Sequence, residues 1–172
     1  REFYGIWGDF DVKISLPSNY IVGATGYLQN KEEIGYGYAP KDPESRPSKL
    51  TWHFKAENVH DFVWAADPDY VQKVHTMSDG TVIRCFYQPG EKTTENWERL
   101  PMIMEEAFHF INKKYGQYPF KEYAFIQGGD GGMEYAMATM VRNHSIGTAI
   151  HEWMHSWYQH LMGTNESLYA WM

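Results

Sequence analysis

The sequence predicts an α+β fold, with a strand-rich first part followed by a part in which helices alternate with strands. In the stretch DFDVKISL, apolar residues stand at every second position, which is the period of a half-buried strand. From Leu100 to Ile111 the apolar residues recur at steps of three and four, which is the period of an amphipathic helix. The change falls at the Pro-Gly pair of QPGEK, so we predict domains at 1–89 and 90–172.

The bulk composition narrows the class of protein. The 172 residues are 43% apolar and 22% charged, which is typical of a globular chain with a core of its own. No apolar run approaches the ~20 residues that span a bilayer, so we predict no transmembrane segment in this chain. A net charge of -7 without a long basic run argues against nucleic acid as a partner. The single cysteine, Cys85, leaves the compartment open, and the cell envelope or periplasm is a working hypothesis.

The first part contains four predicted strands. They are the alternating stretch DFDVKISL, the aromatic and β-branched stretches KLTWHF and VHDFVWAA, and TVIRCFY after a Ser-Asp-Gly turn signal. Between the first two strands, YGYAPKDPESRPSK carries prolines among charged residues and predicts a long, mobile loop. The first part is therefore predicted to be a sheet-forming module.

The second part opens with a helix that Gly116 should end, and Pro101 should either start that helix or kink it. KEYAFIQ then predicts a strand, GGDGG a tight turn, and MEYAMATMV a second apolar strand or extended segment. The last helix should run from an N-cap at about Ser145 to Met162, with Gly163 as its stop.

The last helix carries the motif HEWMH, in which His151 and His155 are four residues apart and therefore share one face. Two imidazoles so placed can bind one zinc ion. Glu152 lies about 100° round the helix, where its carboxylate can take a proton from a water that attacks a carbonyl group. This is the metalloprotease interpretation of the motif. The alternative is a pair of structural histidines with no metal.

The third ligand decides which kind of zinc site this is. The glycine and histidine that a metzincin has after the second histidine are replaced by Tyr158 and Leu161, which excludes that class. His160 falls about 140° round an α-helix from His155, so we expect it to face away as a surface or interhelix histidine. Glu166 comes soon after, in the GTNES turn, where capping or solvation is the favoured role over ligation.

The segment GGDGGMEYAMATM is a second, independent signal. Gly131 and Gly132 allow another backbone to lie close, so this strand can pair with an extended peptide, with Met133 in the same stretch. Glu134 would then attract the α-ammonium group of that peptide. The alternative is an exposed strand glutamate after a turn, and Asp130 is assigned to the turn itself.

Together, GGMEY and HEWMH resemble the aminopeptidase N and leukotriene hydrolase family of gluzincin zinc metallopeptidases, in a bacterial-type member. That family places a Gly-x-Met-Glu-Asn strand shortly before a His-Glu-x-x-His helix, and the two motifs stand here in that order. YGQYPFKEYAFIQ resembles the helix end and strand before the glycine motif, and LTWHFKAENVHDFVWAADPDY resembles the last strands of an N-terminal β domain. The resemblance implies the end of an all-β sandwich-like domain followed by the front half of a thermolysin-like zinc peptidase domain.

By this resemblance, His151 and His155 would be zinc ligands and Glu152 the general base and then acid. Glu134 would anchor the free amino terminus of a peptide substrate. Gly131, Gly132 and Met133 would supply the backbone that lines the substrate. One departure concerns amine recognition, because Tyr135 stands where the family usually has Asn.

The resemblance also implies a zinc aminopeptidase that removes residues from the free amino termini of peptides. In that family the third ligand is a glutamate of a following helix, which would fall just beyond Met172. We therefore expect the chain to be a fragment of a larger enzyme, with weak or absent zinc binding and no useful activity by itself. The alternatives are a catalytically dead peptide-binding or scaffolding homologue and a zinc endopeptidase.

Overall fold

A computed structural model describes residues 5–35, 37–38, 47–129, 131–163, 165 and 168–169. Most of the predicted proline-rich loop, Asp130 and Glu166 lie outside these residues. The described chain combines helices with three β-sheets, which confirms the predicted mixture of the two. None of its helices has both the length and the apolar character needed to cross a bilayer.

The first five strands of the strand-rich part form two small sheets. A three-stranded sheet has the order β1-β4-β3, and a two-stranded sheet pairs β2 with β5. The strands are β1 Gly8–Pro17, β2 Ile21–Ala24, β3 Tyr27–Leu28, β4 Lys49–Val59 and β5 Trp64–Asp67, with a short helix α1 at Lys31–Ile34. The pairing of β1 with β4 buries alternate residues such as Trp52 and Phe54, as the two-residue period predicts.

A five-stranded sheet carries the rest of the fold, in the order β6-β7-β8-β10-β9. Its strands are β6 Val71–Thr76, β7 Val82–Tyr87, β8 Glu122–Gln127, β9 Gly132–Tyr135 and β10 Ala138–Val141. β8 pairs in parallel with β7 and with β10, and the two outer pairs are antiparallel. Strands from both sides of the predicted boundary at residue 89 thus share one sheet, and the division at 1–89 and 90–172 stays a prediction.

The segment MEYAMATMV was expected to form one strand or extended segment, and that prediction is wrong. It forms the antiparallel pair β9 and β10, joined by a tight turn at Ala136 and Met137. Met137 has a φ of 58°, a left-handed conformation that residues other than Gly, Asn and Asp rarely adopt. The sequence has none of these residues at the turn, so its local pattern could not reveal the reversal.

Helix α2 spans Thr94–Tyr115 and packs on one face of the five-stranded sheet. Gly116, with a φ of 107°, caps its end as predicted. Pro101 lies inside the helix, so the prediction that it starts the helix is wrong. The apolar stripe predicted from the sequence is buried, including Leu100, Met104 and Phe108.

Helix α3 spans Ile146–His155, and a π-helix at Ser156–Leu161 continues it. The Ser145 side chain accepts a hydrogen bond from the Thr148 backbone N–H, which confirms the predicted N-cap. Gly163, with a φ of 60°, ends the element as predicted. The prediction of one continuous α-helix is wrong, because the hydrogen bonding widens directly after His155.

Candidate metal centre

The histidine motif forms a compact cluster on α3. One ligand atom from each of His151, Glu152 and His155 lies within 4.8 Å of the others, and the two imidazole centroids are 5.1 Å apart. His151 is exposed, His155 is half-buried and Glu152 is 7% exposed. Among the residues that the structure describes, this is the one group of three metal-binding side chains that close together.

The opposite side of α3 fixes the orientation of this cluster. Ala149 and Trp153 are buried against the sheet and α2, and the Trp153 ring stacks on Phe108 with centroids 3.6 Å apart. Large aromatic contacts of this kind hold a helix in one rotation about its axis. The two histidines therefore point away from the core toward one outer face.

The donor set suits zinc. Two imidazole nitrogens and a carboxylate oxygen are ligands that zinc accepts, and a catalytic zinc site has three protein ligands with one open position. A carboxylate oxygen of Glu152 lies within 4.8 Å of a ring nitrogen of each histidine. If these histidines bound zinc, Glu152 could contact either the ion or a water beside it.

Strand β9 lies directly against Glu152. A Cβ atom added at Gly132 would clash with Glu152 Oε1 and lie 2.9 Å from Thr148 Cγ2. Any side chain at position 132 would therefore displace the Glu152 carboxylate. Glycine at this position is what lets the strand and the helix approach. By contrast, a Cβ at Gly131 would meet nothing within 4 Å.

Glu134 lies on β9 two residues after Gly132 and is 8% exposed, so the alternative of an exposed strand glutamate is wrong. Burial raises the pKa of Glu152, and the neighbouring Glu134 charge and hydrogen bond raise it further, while the His151 charge opposes the shift. Met133 is half-buried, and its carbonyl oxygen accepts a hydrogen bond from the Thr139 hydroxyl, at 2.9 Å.

Two residues that the sequence did not single out belong to the same region. Asp61 accepts a hydrogen bond from the Ala136 N–H, and burial raises the pKa of its carboxyl group. Tyr123 is buried beneath the site, and burial together with the charges of Glu152, Glu134 and Asp61 raises the pKa of its hydroxyl group. An aspartate directly before the apolar run FVWAA was the available signal for Asp61.

His160 lies outside the group of His151, Glu152 and His155. It is 8% exposed, and its ring is 5.8 Å from that of His60. Burial, with the charges of His60 and His155, lowers the pKa of His160 to about 4. The expected surface position is wrong, because His160 is buried against His60, which follows β4.

The fold of this chain is similar to part of the fold of a solved zinc metallopeptidase, although no family model and no curated protein matches this chain. The M1 zinc metallopeptidase of Deinococcus radiodurans superimposes with a TM-score of 0.62 over 90% of this chain and 35% of that one, at 15% identity. A mutant of that enzyme bound to a Tyr-Ser-Ala substrate gives a TM-score of 0.63 at the same identity and coverage. The chain thus spans 35% of the length of these structures, and the likeness shows the fold.

Proposed function

We propose that this chain is part of a zinc-dependent aminopeptidase of the aminopeptidase N and leukotriene hydrolase type. The observation that carries the proposal is the compact group of His151, Glu152 and His155, with Gly132 of an edge strand placed against its carboxylate. In this proposal, residues 1–89 are the end of a sandwich-like domain and residues 90–172 are the front of a thermolysin-like domain. Strands β6 and β7 of the first then join the sheet of the second.

His151 and His155 would hold the zinc ion, with a further ligand from outside the described residues. When bound, zinc polarises a carbonyl group and lowers the pKa of a water that attacks it. Glu152 would take a proton from the attacking water and give it to the amine as the peptide C–N bond breaks. Its raised pKa suits this role, because a general base works best with a pKa close to the working pH.

The edge strand β9 would hold the substrate. An extended peptide can add to an exposed strand edge through main-chain hydrogen bonds, and Gly131, Gly132 and Met133 would line it. Glu134 would bind the α-ammonium group, so that cleavage is confined to the first residue. The substrate bound to the Deinococcus radiodurans mutant is Tyr-Ser-Ala, which agrees with a peptide substrate here.

The proposal is tested by Glu152→Gln in the full-length protein. We expect hydrolysis of unblocked peptides to fall by at least about a thousandfold, because Gln cannot take the proton, while the zinc content measured by metal analysis is unchanged. The matched control is Glu106→Gln on the exposed side of α2, which should leave turnover as it is. Full activity in Glu152→Gln would contradict the assignment.

A second candidate is a peptide-binding homologue without catalysis, because an edge strand with a buried glutamate can hold a peptide with no metal. The full-length wild-type protein distinguishes the two. Stoichiometric zinc with turnover supports the enzyme, and peptide binding without zinc supports the binder. Equal hydrolysis of unblocked and N-acetylated peptides would indicate an endopeptidase.

A further inference from the structure

The turn between β9 and β10 contains none of the residues that usually form such a turn, so contacts with the rest of the fold must hold it. Met137 adopts a left-handed φ and is 2% exposed, so neither glycine nor solvent accounts for the conformation. Strained backbone of this kind persists only where the surrounding structure determines it. The contacts around Ala136 and Met137 therefore explain the turn.

Both backbone polar groups of Ala136 bind side chains from the strand-rich part of the chain. The Ala136 N–H donates to Asp61 Oδ1 at 2.9 Å, and the Ala136 carbonyl oxygen accepts from the Thr25 hydroxyl at 2.9 Å. The same Thr25 oxygen accepts from the Val63 N–H at 3.1 Å, so the hydroxyl is itself held in one orientation. Thr25 has no exposed surface.

The neighbouring residue is fixed from the other direction. The Met137 carbonyl oxygen accepts a hydrogen bond from the Ala124 N–H of β8, at 3.0 Å. The side chains of Ala136 and Met137 pack in a small apolar cluster with Ala56 and Val59 of β4. The turn is thus held between the five-stranded sheet and the strand-rich part.

We infer that Thr25 and Asp61 are positioning residues, which set the place of strand β9, and of Glu134 on it, relative to helix α3. The inference rests on the proposed function, since it gives these residues a role in amine recognition. Glu134 is two residues before Ala136, whose backbone is held by Thr25 and Asp61. Gly132, which lies against Glu152, is two residues before Glu134. A shift of β9 therefore moves the anchoring carboxylate and the helix contact together.

The test compares Thr25→Val with Thr25→Ser in the full-length protein. Valine keeps the shape of threonine and removes both hydrogen bonds, whereas serine keeps the hydroxyl. We expect the KM for an unblocked peptide to rise about tenfold in Thr25→Val, because a small misplacement of a binding group has effects of this size, and to stay within about twofold in Thr25→Ser. The kcat per bound zinc should change less than the KM in both variants.

A second measurement does not depend on activity. Amide hydrogen exchange of the peptide that contains Ala136 and β9 should become faster in Thr25→Val and remain slow in Thr25→Ser. The control is Thr81→Val, which alters another buried threonine beside β6, at the opposite edge of the sheet. It should leave both the KM and the exchange at β9 unchanged.

The outcomes separate the two proposals. An active wild-type enzyme in which Thr25→Val has an unchanged KM and unchanged exchange overturns the positioning role. A wild-type protein without zinc-dependent hydrolysis overturns the proposed function, while the exchange result still decides whether the clamp exists. If Thr25→Val does not fold, Asp61→Ala and Asp61→Asn take its place, because Asn keeps an acceptor oxygen for the Ala136 N–H and Ala does not. If Asp61→Ala and Asp61→Asn have the same KM and the same exchange rate at β9, the inference is likewise overturned.

Discussion

The two outer strands of the five-stranded sheet, β6 and β9, differ in how their edges are treated. β6 carries Lys73, and its His75 is paired with Glu105 of α2 at 2.6 Å, which are features that discourage pairing with another chain. β9 carries glycine, no basic residue, and a buried Glu134. Charged side chains protect the β6 edge against pairing, whereas the residues of β9 are those that fit against α3. The difference favours β9 as the edge that receives a ligand.

Among changes at the two edges of the sheet, the largest expected effect comes from adding a side chain where β9 meets α3. Gly132→Val should lower kcat/KM for unblocked peptides by at least about a hundredfold, because the added side chain displaces the Glu152 carboxylate from its place beside the histidines. Steady-state kinetics with metal analysis measures this. Gly147→Ala, in the first turn of α3, is the control, since a Cβ there also meets nothing within 4 Å, and it should keep most of the activity. Equal losses in both variants would show that the close approach has no special role.

The next effect concerns the charge on β9. Glu134→Gln keeps the shape of the side chain and removes the charge, so the KM for unblocked peptides should rise about ten- to a hundredfold through loss of the pairing with the α-ammonium group. Binding of an N-acetylated peptide should change little. A fluorescence or calorimetric titration of both peptides decides the matter, and an equal loss for the two would argue against amine recognition.

A smaller effect appears in the pH dependence of stability. His160 has an ordinary pKa of 6.5 and a folded-state pKa of about 4, so below pH 6.5 the unfolded chain binds a proton that the folded chain rejects. The free energy of unfolding should therefore fall between pH 6.5 and pH 4, by up to about 3 kcal/mol in total from this residue. Urea titrations of wild type and His160→Gln across this range give the measurement. The variant should show a flatter curve, and parallel curves would contradict the prediction.

The smallest effect is expected at the protected edge. Glu105 accepts hydrogen bonds from the Ser78 N–H and from His75, and these lower the pKa of its carboxyl group. Its contribution is present at neutral pH and is lost as the pH falls through that lowered pKa. Glu105→Gln should reduce the free energy of unfolding by about 1 kcal/mol at pH 7, with peptide hydrolysis unchanged. A large loss of activity would mean that the two edges are not independent.

The sequence predicted those elements whose signals are local. The alternation in DFDVKISL, the apolar stripe of α2 and the Ser145 cap each correspond to an element in the structure. The motif HEWMH also places two histidines together, because residues four apart on an α-helix are neighbours wherever the helix lies. These features depend on periods of a few residues, and such periods can be read directly.

The missed features depend on contacts between distant parts of the chain. The turn at Ala136 is held by Asp61 and Thr25, which are 75 and 111 residues away in sequence. The burial of Glu134 and the approach of Gly132 to Glu152 likewise follow from how β9 docks on α3. The burial of His160 against His60, 100 residues away in sequence, likewise depends on a contact that no short pattern encodes.

The shared sheet also has a consequence for the order of folding. β7 pairs with β8 across the whole of α2, and β10 can join only once β8 is in place. Parallel pairings between distant segments form slowly, because the chain between them must first be closed into a loop. During synthesis, the β6–β7 hairpin is complete long before its neighbour emerges. The edge that bears Glu134 is therefore expected to become ordered among the last parts of the sheet, which makes the acquisition of the site a late folding event.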